Sequence, residues 1–375
     1  MRILNAPSHT LTALVGFTLL AGCGSSSQMT PTSPAQSDAE SQSFQRRGLQ
    51  NARFDGFHSM HRGVVFGQRA VGRSFIDPHA VGKPLVFTGI DEGIDIYLQG
   101  GKNKMVGQIT GPPGTGSGGL ATDAAGDLYS MNQNASSTTV TVYAPPYTNG
   151  PKLTITIGRL DPVIAVSRQG TLAVTACTIP SGSQCDEGVV FYAAGSATPC
   201  ATVLDGSAFP TGAWGLAFDR NGNLYAADGG SATEAPLTVG KIDGGCNAKT
   251  IRTFTTVNSL GEAGDIHVDK AGRLAIITTV GTYPYTSCII STYDPPKKDS
   301  LGNPVSTTSL PGNSSGAFAF QASGRNLWTS YYTVGSPYPT GVYQFAYPTG
   351  GAPEKTIVTS VGSPYGVAVT PALVP

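Results

Sequence analysis

The stretch Gly215-Leu216-Ala217-Phe218-Asp219-Arg220-Asn221-Gly222-Asn223-Leu224-Tyr225-Ala226-Ala227-Asp228 reads as a strand, a tight turn and a second strand. Asp219 closes the first apolar run, and an aspartate there can bond the backbone N–H groups of the turn that follows. Gly222 supplies the positive φ that a short hairpin needs, and Leu224 then resumes the apolar pattern.

The first half of this unit recurs along the chain, six times in all. It stands as Gly119-Leu120-Ala121-Thr122-Asp123, Val163-Ile164-Ala165-Val166-Ser167 and Gly215-Leu216-Ala217-Phe218-Asp219, then as Asp265-Ile266-His267-Val268-Asp269, Ala317-Phe318-Ala319-Phe320-Gln321 and Gly366-Val367-Ala368-Val369-Thr370. By subtraction, the last residues of these units lie 44, 52, 50, 52 and 49 apart. That period fits one four-stranded propeller blade per unit. Leu128, Leu172, Leu224 and Leu274 each fall five residues after the end of their unit and Leu327 six, so the connecting turn is nearly constant. Stretches such as Val140-Thr141-Val142-Tyr143 and Gly341-Val342-Tyr343-Gln344-Phe345 suit third strands. Leu153-Thr154-Ile155-Thr156-Ile157 and Lys249-Thr250-Ile251-Arg252 suit the outer, fourth ones.

The ends of the array predict how it closes. The sixth unit supplies one strand before Pro375, whereas Leu85–Thr88, Ile94–Tyr97 and Lys104–Ile109 lack an inner partner. The C-terminal strand is therefore expected to complete the N-terminal blade, which removes open sheet edges. With 49 Gly and 27 Pro among 375 residues, the composition favours short strands and turns over long helices. The expected fold is an all-β, six-bladed propeller of four-stranded blades over residues 75–375.

Ahead of it, residues 1–22 carry a basic start and an apolar stretch from Leu11 to Leu20, ending in Leu20-Ala21-Gly22-Cys23. This is the pattern of a lipoprotein signal peptide, with Cys23 as the lipidated residue. Residues 23–50 are rich in Ser, Gln and Pro and read as a flexible tether, and 51–74 as a basic connector. Basic residues, including Arg46, Arg47, Arg53 and Arg62, dominate from Arg46 to Lys83, and such a run reads first as solvated or packed surface. Cleavage removes one charge, Arg2, leaving 22 basic against 23 acidic residues. A chain so near neutrality, with 12% charged residues, lacks the footprint of a nucleic-acid binder. No apolar run of the mature chain is long enough to span a membrane, so its expected membrane partner is the lipid on Cys23. The expected location is the bacterial envelope. Similarity to enterobacterial lipoproteins that lack aspartate after the cysteine implies the outer membrane.

The unit Gly215–Asp228 resembles an NHL-type repeat, and the period and closure resemble TolB-like and gluconolactonase-like six-bladed propellers, over roughly residues 75–375. The resemblance implies a fold more than an activity, because propellers host binders, scaffolds, lactonases and lyases. Lactonases of this class gather a Glu, an Asn and an Asp around one cation at the channel mouth, which would implicate Glu92, Asn132 and Asp228. The last two follow their leucines by the same four residues.

One unit breaks the pattern at its third position, which reads Ala121, Ala165, Ala217, His267, Ala319 and Ala368. Strand alternation puts His267 on one face with Asp265 and Asp269, as a metal ligand, a general base or a histidine hydrogen-bonded to those aspartates. Asp123, Asp219 and Asp269 could ligate calcium, but their recurrence at one turn favours capping of that turn. No other cofactor is implied.

Five cysteines follow Cys23, an odd number, in a compartment that permits disulfides. Cys177 with Cys185, flanking a short loop, is the preferred pair, and Cys200 with Cys246 a second. Cys288 reads as a small buried residue. Late aromatics, among them Tyr283, Tyr285, Trp328 and Tyr338, suit either packing between blades or contacts on a rim. Two functions remain open. One is a non-enzymatic binding scaffold for a protein, peptide or glycan; the other is a metal-dependent hydrolase, lactonase or lyase with its site at the channel mouth.

Overall fold

Each repeat unit forms the innermost strand of a blade. The computed structural model describes residues 74–373 except 91–92, 101–103, 111–115, 134–137, 158–162, 179–185, 205–207, 209–212, 229–236, 257–261, 281–286, 297–298, 311–313, 332–339, 359–363 and 365. The expected signal peptide, Cys23, the expected tether and nearly all of the expected connector lie outside the described residues.

Six sheets make six blades, numbered from the N-terminus. Blade 1 comprises Gly366–Thr370, Leu85–Ile90, Gly93–Leu98 and Met105–Thr110, from the centre outward. Blade 2 is Gly116–Thr122, Leu128–Gln133, Thr138–Tyr143 and Leu153–Thr156, and blade 3 is Ile164–Val166, Leu172–Thr178, Asp186–Tyr192 and Pro199–Leu204. Blade 4 runs Ala213–Phe218, Leu224–Asp228, Thr238–Ile242 and Ile251–Thr256, and blade 5 runs Glu262–Val268, Leu274–Val280, Ser287–Tyr293 and Ser306–Leu310. Ser314–Phe320, Asn326–Tyr331, Gly341–Ala346 and Lys355–Val358 form blade 6. The protein is a six-bladed β-propeller.

Closure follows the expected route: Leu85 pairs with Thr370 and Phe87 with Ala368 in an antiparallel register. Two blades carry a fifth, short strand at their outer edge. Phe75–Ile76 lies antiparallel on blade 1, and Ser300–Gly302, from the blade 5 connection, lies parallel on blade 4. Both cover backbone groups that an edge strand would otherwise expose.

The turn between first and second strands is built as its sequence suggests. Asp219 Oδ1 accepts hydrogen bonds from the backbone N–H of Asn221 at 2.8 Å and of Asn223 at 2.9 Å. Asp123 and Asp269 do the same for Ala125 with Asp127 and for Ala271 with Arg273. Blade 3 substitutes Ser167, whose Oγ accepts from Gln169 and Thr171. Gly126, Gly170, Gly222 and Gly272 hold φ between 78° and 83°, where a side chain would be strained.

Blades are sheets buried on both faces, so the cores lie between them. Phe191, Leu216, Phe218 and Leu224 fill the seam between blades 3 and 4, with Phe191 and Phe218 ring centroids 6.4 Å apart. Val86, Trp328, Val342 and Val369 fill the closing seam between blades 6 and 1. There is one such cluster for each of the six seams. No blade can bury its apolar faces alone, and the ring supplies a partner for each.

A disulfide crosses one seam. Cys200, on the outer strand of blade 3, is bonded to Cys246, in the short turn Gly245–Asn247 that follows the third strand of blade 4. Cys177 lies on the second strand of blade 3, but its side chain and Cys185 fall outside the described residues. Cys288 is buried in the seam between blades 5 and 6 with Ile277, Ile290 and Leu310.

Candidate functional site

The six innermost strands surround a cavity of about 90 Å³ on the propeller axis. The third residue of every repeat unit lines it: Ala121, Ala165, Ala217, His267, Ala319 and Ala368. Five methyl groups and one imidazole thus face a shared space. The hydroxyl of Thr122, also in the lining, donates to the Val369 carbonyl at 2.8 Å, so it is satisfied by the wall itself.

Asp265 is the second polar departure in the same unit, where Gly119, Gly215 and Gly366 stand in three of the others. Its strand carries a register shift between Ala263 and Ile266, a bulge that changes the direction of the side chains it carries. The neighbouring strand permits this only because it has glycine: a Cβ on Gly215 would stand 2.7 Å from the Gly264 carbonyl oxygen. Asp265 Oδ1 accepts from its neighbour Ile266 N–H at 2.9 Å. Its Oδ2 meets His267 Nε2 at 3.1 Å and accepts from Phe318 N–H, in blade 6, at 3.3 Å. One carboxylate therefore orients the imidazole and bonds blade 5 to blade 6.

The imidazole is also held by packing. Its centroid lies 4.5 Å from that of Phe318 and 6.1 Å from that of Phe320, both edge-on. The side chains of His267 and Asp265 remain 31% and 22% exposed, so solvent or a ligand can reach them. An ionised carboxylate only accepts, which places the proton on Nε2 and leaves Nδ1 as an acceptor in the neutral ring. Such a pair can bind a donor or take a proton from one.

Asp269 does not join this pair. Its carboxylate is 2% exposed and serves the hairpin, pairing with Arg273 at 2.7 Å and accepting from the Tyr347 hydroxyl at 3.4 Å. Burial pushes the Tyr347 hydroxyl up to about 12, against a hydrogen bond with Thr292 that works the other way. In the matching turn of blade 2, burial raises the Asp123 carboxyl above its ordinary value, opposed by the Asp127 backbone N–H, and Lys152 pairs with Asp127 at 2.6 Å.

Asn132 and Asp228 lie near the ends of the second strands of blades 2 and 4, buried and not among the cavity lining. Asn132 is satisfied locally: its amide donates to Thr141 Oγ1 at 3.0 Å and to the Ser130 carbonyl at 3.2 Å, and its oxygen meets Ser130 Oγ at 3.3 Å. Glu92 lies outside the described residues. A carboxamide bonded at both ends is a poor cation ligand, and among the described residues no three His, Cys, Asp or Glu side chains are grouped to hold a metal. Among the described residues, Asn132 is therefore a poor fit to the lactonase donor set.

Against known proteins, the likeness is one of fold. No family model matches the chain, and no curated protein matches it. A protein of unknown function from Bacteroides caccae is 9% identical, with 77% of this chain and 99% of that chain covered and a TM-score of 0.51. The periplasmic gluconolactonase of Pseudomonas aeruginosa is 15% identical, with 78% of this chain and 99% of that chain covered and a TM-score of 0.47. At 9% identity, the likeness to the Bacteroides caccae protein is one of architecture alone.

His267 was visible in the sequence because it interrupts a column of alanines. Asp265 stood beside it, but its bond to the blade 6 backbone depends on a bulge that the sequence does not announce. Phe318 and Phe320 belong to the next repeat and had no mark beyond their apolar character.

Proposed function

We propose that this protein is a lipid-anchored, non-enzymatic binding scaffold of the bacterial envelope, belonging with NHL-type and TolB-like propellers, which captures its ligand at the channel site. The lipobox before Cys23 supports the anchor, and the repeat unit Gly215–Asp228 supports the relationship. The observation that carries the binding reading is the concentration of two polar departures in one repeat. Five units present only small or apolar side chains at these two positions, and Asp265 with His267 replaces them at the cavity wall. The turn-capping residues recur in four successive blades, as a structural role does, whereas a site for one ligand breaks the symmetry.

The decisive experiment compares what co-purifies with the lipidated protein and with its Asp265→Ala/His267→Ala double variant from the native envelope. A species held by the first and lost from the second is expected. An identical set on both, with both proteins folded, would overturn the channel as the binding site.

A metal-dependent hydrolase or lyase is the second reading, favoured by Asn132 and Asp228 at matching strand ends of blades 2 and 4. It stands second because the Asn132 carboxamide is already bonded within its blade. A stoichiometric divalent ion that disappears on Asp228→Ala would reverse that order.

A further inference from the structure

We infer that the channel site selects a hydroxyl-bearing ligand, either a small alcohol or the alcohol end of a larger molecule, through a single hydrogen bond to His267 Nδ1. The inference rests on the binding reading above and adds the ligand's chemistry to it. Three observations combine. Among the described residues, Thr122 is the one polar side chain in the cavity lining besides Asp265 and His267, and its hydroxyl is already donated to Val369. Asp265 accepts three hydrogen bonds, from Ile266, Phe318 and His267, so most of its accepting capacity is taken. The same bond fixes the proton on His267 Nε2, and no described residue bonds Nδ1.

What remains is an acceptor with no partner among the described residues, His267 Nδ1, on a mostly apolar wall. An ammonium or guanidinium carries several donors, and against so few acceptors the rest would be left unpaired beside the alanine methyls, at a high desolvation cost. A carboxylate or ketone offers no donor. An alcohol matches: its O–H donates to Nδ1, and its carbon skeleton covers the alanine methyls. A cavity of about 90 Å³ has room for several waters or for a small ligand fragment. Phe318 and Phe320 brace the imidazole edge-on, so the acceptor is directed before the ligand arrives.

The probes are 2-propanol and acetone, which share a skeleton and differ in whether the oxygen can donate. With the full chain labelled at histidine and alanine methyl carbons, NMR titration reads both the imidazole and the channel wall. In the wild type, 2-propanol should shift the His267 and Ala319 signals saturably, and acetone should bind at least tenfold more weakly. His267→Ala should lose the preference. His267→Phe supplies a test that does not depend on deleting the ring: it keeps an aromatic ring beside Phe318 and Phe320 but offers no acceptor, so 2-propanol should lose at least fivefold relative to acetone. Equal binding of the two probes by the wild type, or a His267→Phe preference unchanged from wild type, overturns the donor rule. Absence of saturable binding by either probe overturns the alcohol assignment. If native material still depends on Asp265 and His267 in the co-purification, the binding reading survives that failure. If the probes bind as expected and native material does not depend on the pair, the binding reading fails instead.

Discussion

Asp265 holds His267 with the same carboxylate oxygen that receives the Phe318 amide of the next blade, at 3.1 Å and 3.3 Å. The pair therefore joins a seam between blades as well as presenting an imidazole to the channel. Asp265→Ala should leave two backbone donors without their acceptor. Hydrogen bonds to a charged group are worth more than neutral ones, and partial exposure reduces the loss, so the expected destabilisation is about 1–2 kcal/mol. His267→Ala should cost less, because it leaves both backbone donors bonded. Urea unfolding of the two variants checks the order, and the reverse order would mean that the imidazole's packing outweighs the cross-blade bond.

The capping residues should rank by how much each one holds. Asp219 bonds two amides and the Asn223 side chain, whereas the more buried Asp269 bonds two amides, Arg273 and Tyr347. Asp219→Ala should cost about 1 kcal/mol and Asp269→Ala about 3 kcal/mol, since the latter also strands a partly buried arginine. Asp219→Ser should recover much of its loss, because Ser167 performs the same capping in blade 3. Denaturation midpoints of the three variants measure this.

Alkaline pH should weaken the fold from about 10 upward. Burial pushes the hydroxyls of Tyr225, Tyr293 and Tyr347 up to about 12, from an ordinary value of 10. Unfolded tyrosines ionise first, so the neutral folded groups contribute stability fully below pH 10 and lose it as pH climbs towards 12. The expected loss is on the order of 2 kcal/mol per tyrosine across that window. Urea unfolding at pH 8, 10 and 11, with phenolate absorbance of the folded protein, tests it. Unchanged stability at pH 11 would rule out the linkage.

Breaking Cys200–Cys246 should be costly, since the bond closes a loop with a sequence separation of 46 residues. Chain entropy alone predicts about 4 kcal/mol. A Cys200→Ser/Cys246→Ser variant should melt well below the wild type and no longer respond to reductant through this bond. Equal melting temperatures would show that the packing of blades 3 and 4 suffices.

Cys23→Ala should yield a protein that lacks the acyl mass and is recovered in the soluble fraction, with the propeller's circular dichroism retained. Mass spectrometry and membrane fractionation decide it. A Cys23→Ala protein still held by membranes would move the anchor elsewhere.

Much of the architecture was legible because it repeats. The spacing of Asp123, Ser167, Asp219 and Asp269, with a glycine three residues after each, specifies the same turn in successive blades, and local turn chemistry needs no knowledge of distant contacts. The unpaired strand at Gly366 and the blade lacking an inner strand near Leu85 likewise named each other, because an open propeller leaves two edges exposed.

The site was legible only as an irregularity. His267 announced itself by replacing alanine, but alternation along the strand gave it two carboxylate neighbours of equal standing, Asp265 and Asp269. Tertiary structure separated them: the bulge before Ile266 brings Asp265 to the imidazole and to Phe318, while Arg273 and the hairpin amides claim Asp269. The disulfide shows the same division. Cys177 with Cys185 reaches outside the described residues, and the bond between Cys200 and Cys246, the second pairing expected from the sequence, depends on which strands of neighbouring blades come close, with a Cα separation of 5.1 Å. Periodicity and turn residues are local, so the sequence by itself determined the number of blades, their hairpins and their closure. Which polar group meets which other is a matter of bulges and seams between blades, and only the assembled ring decided it.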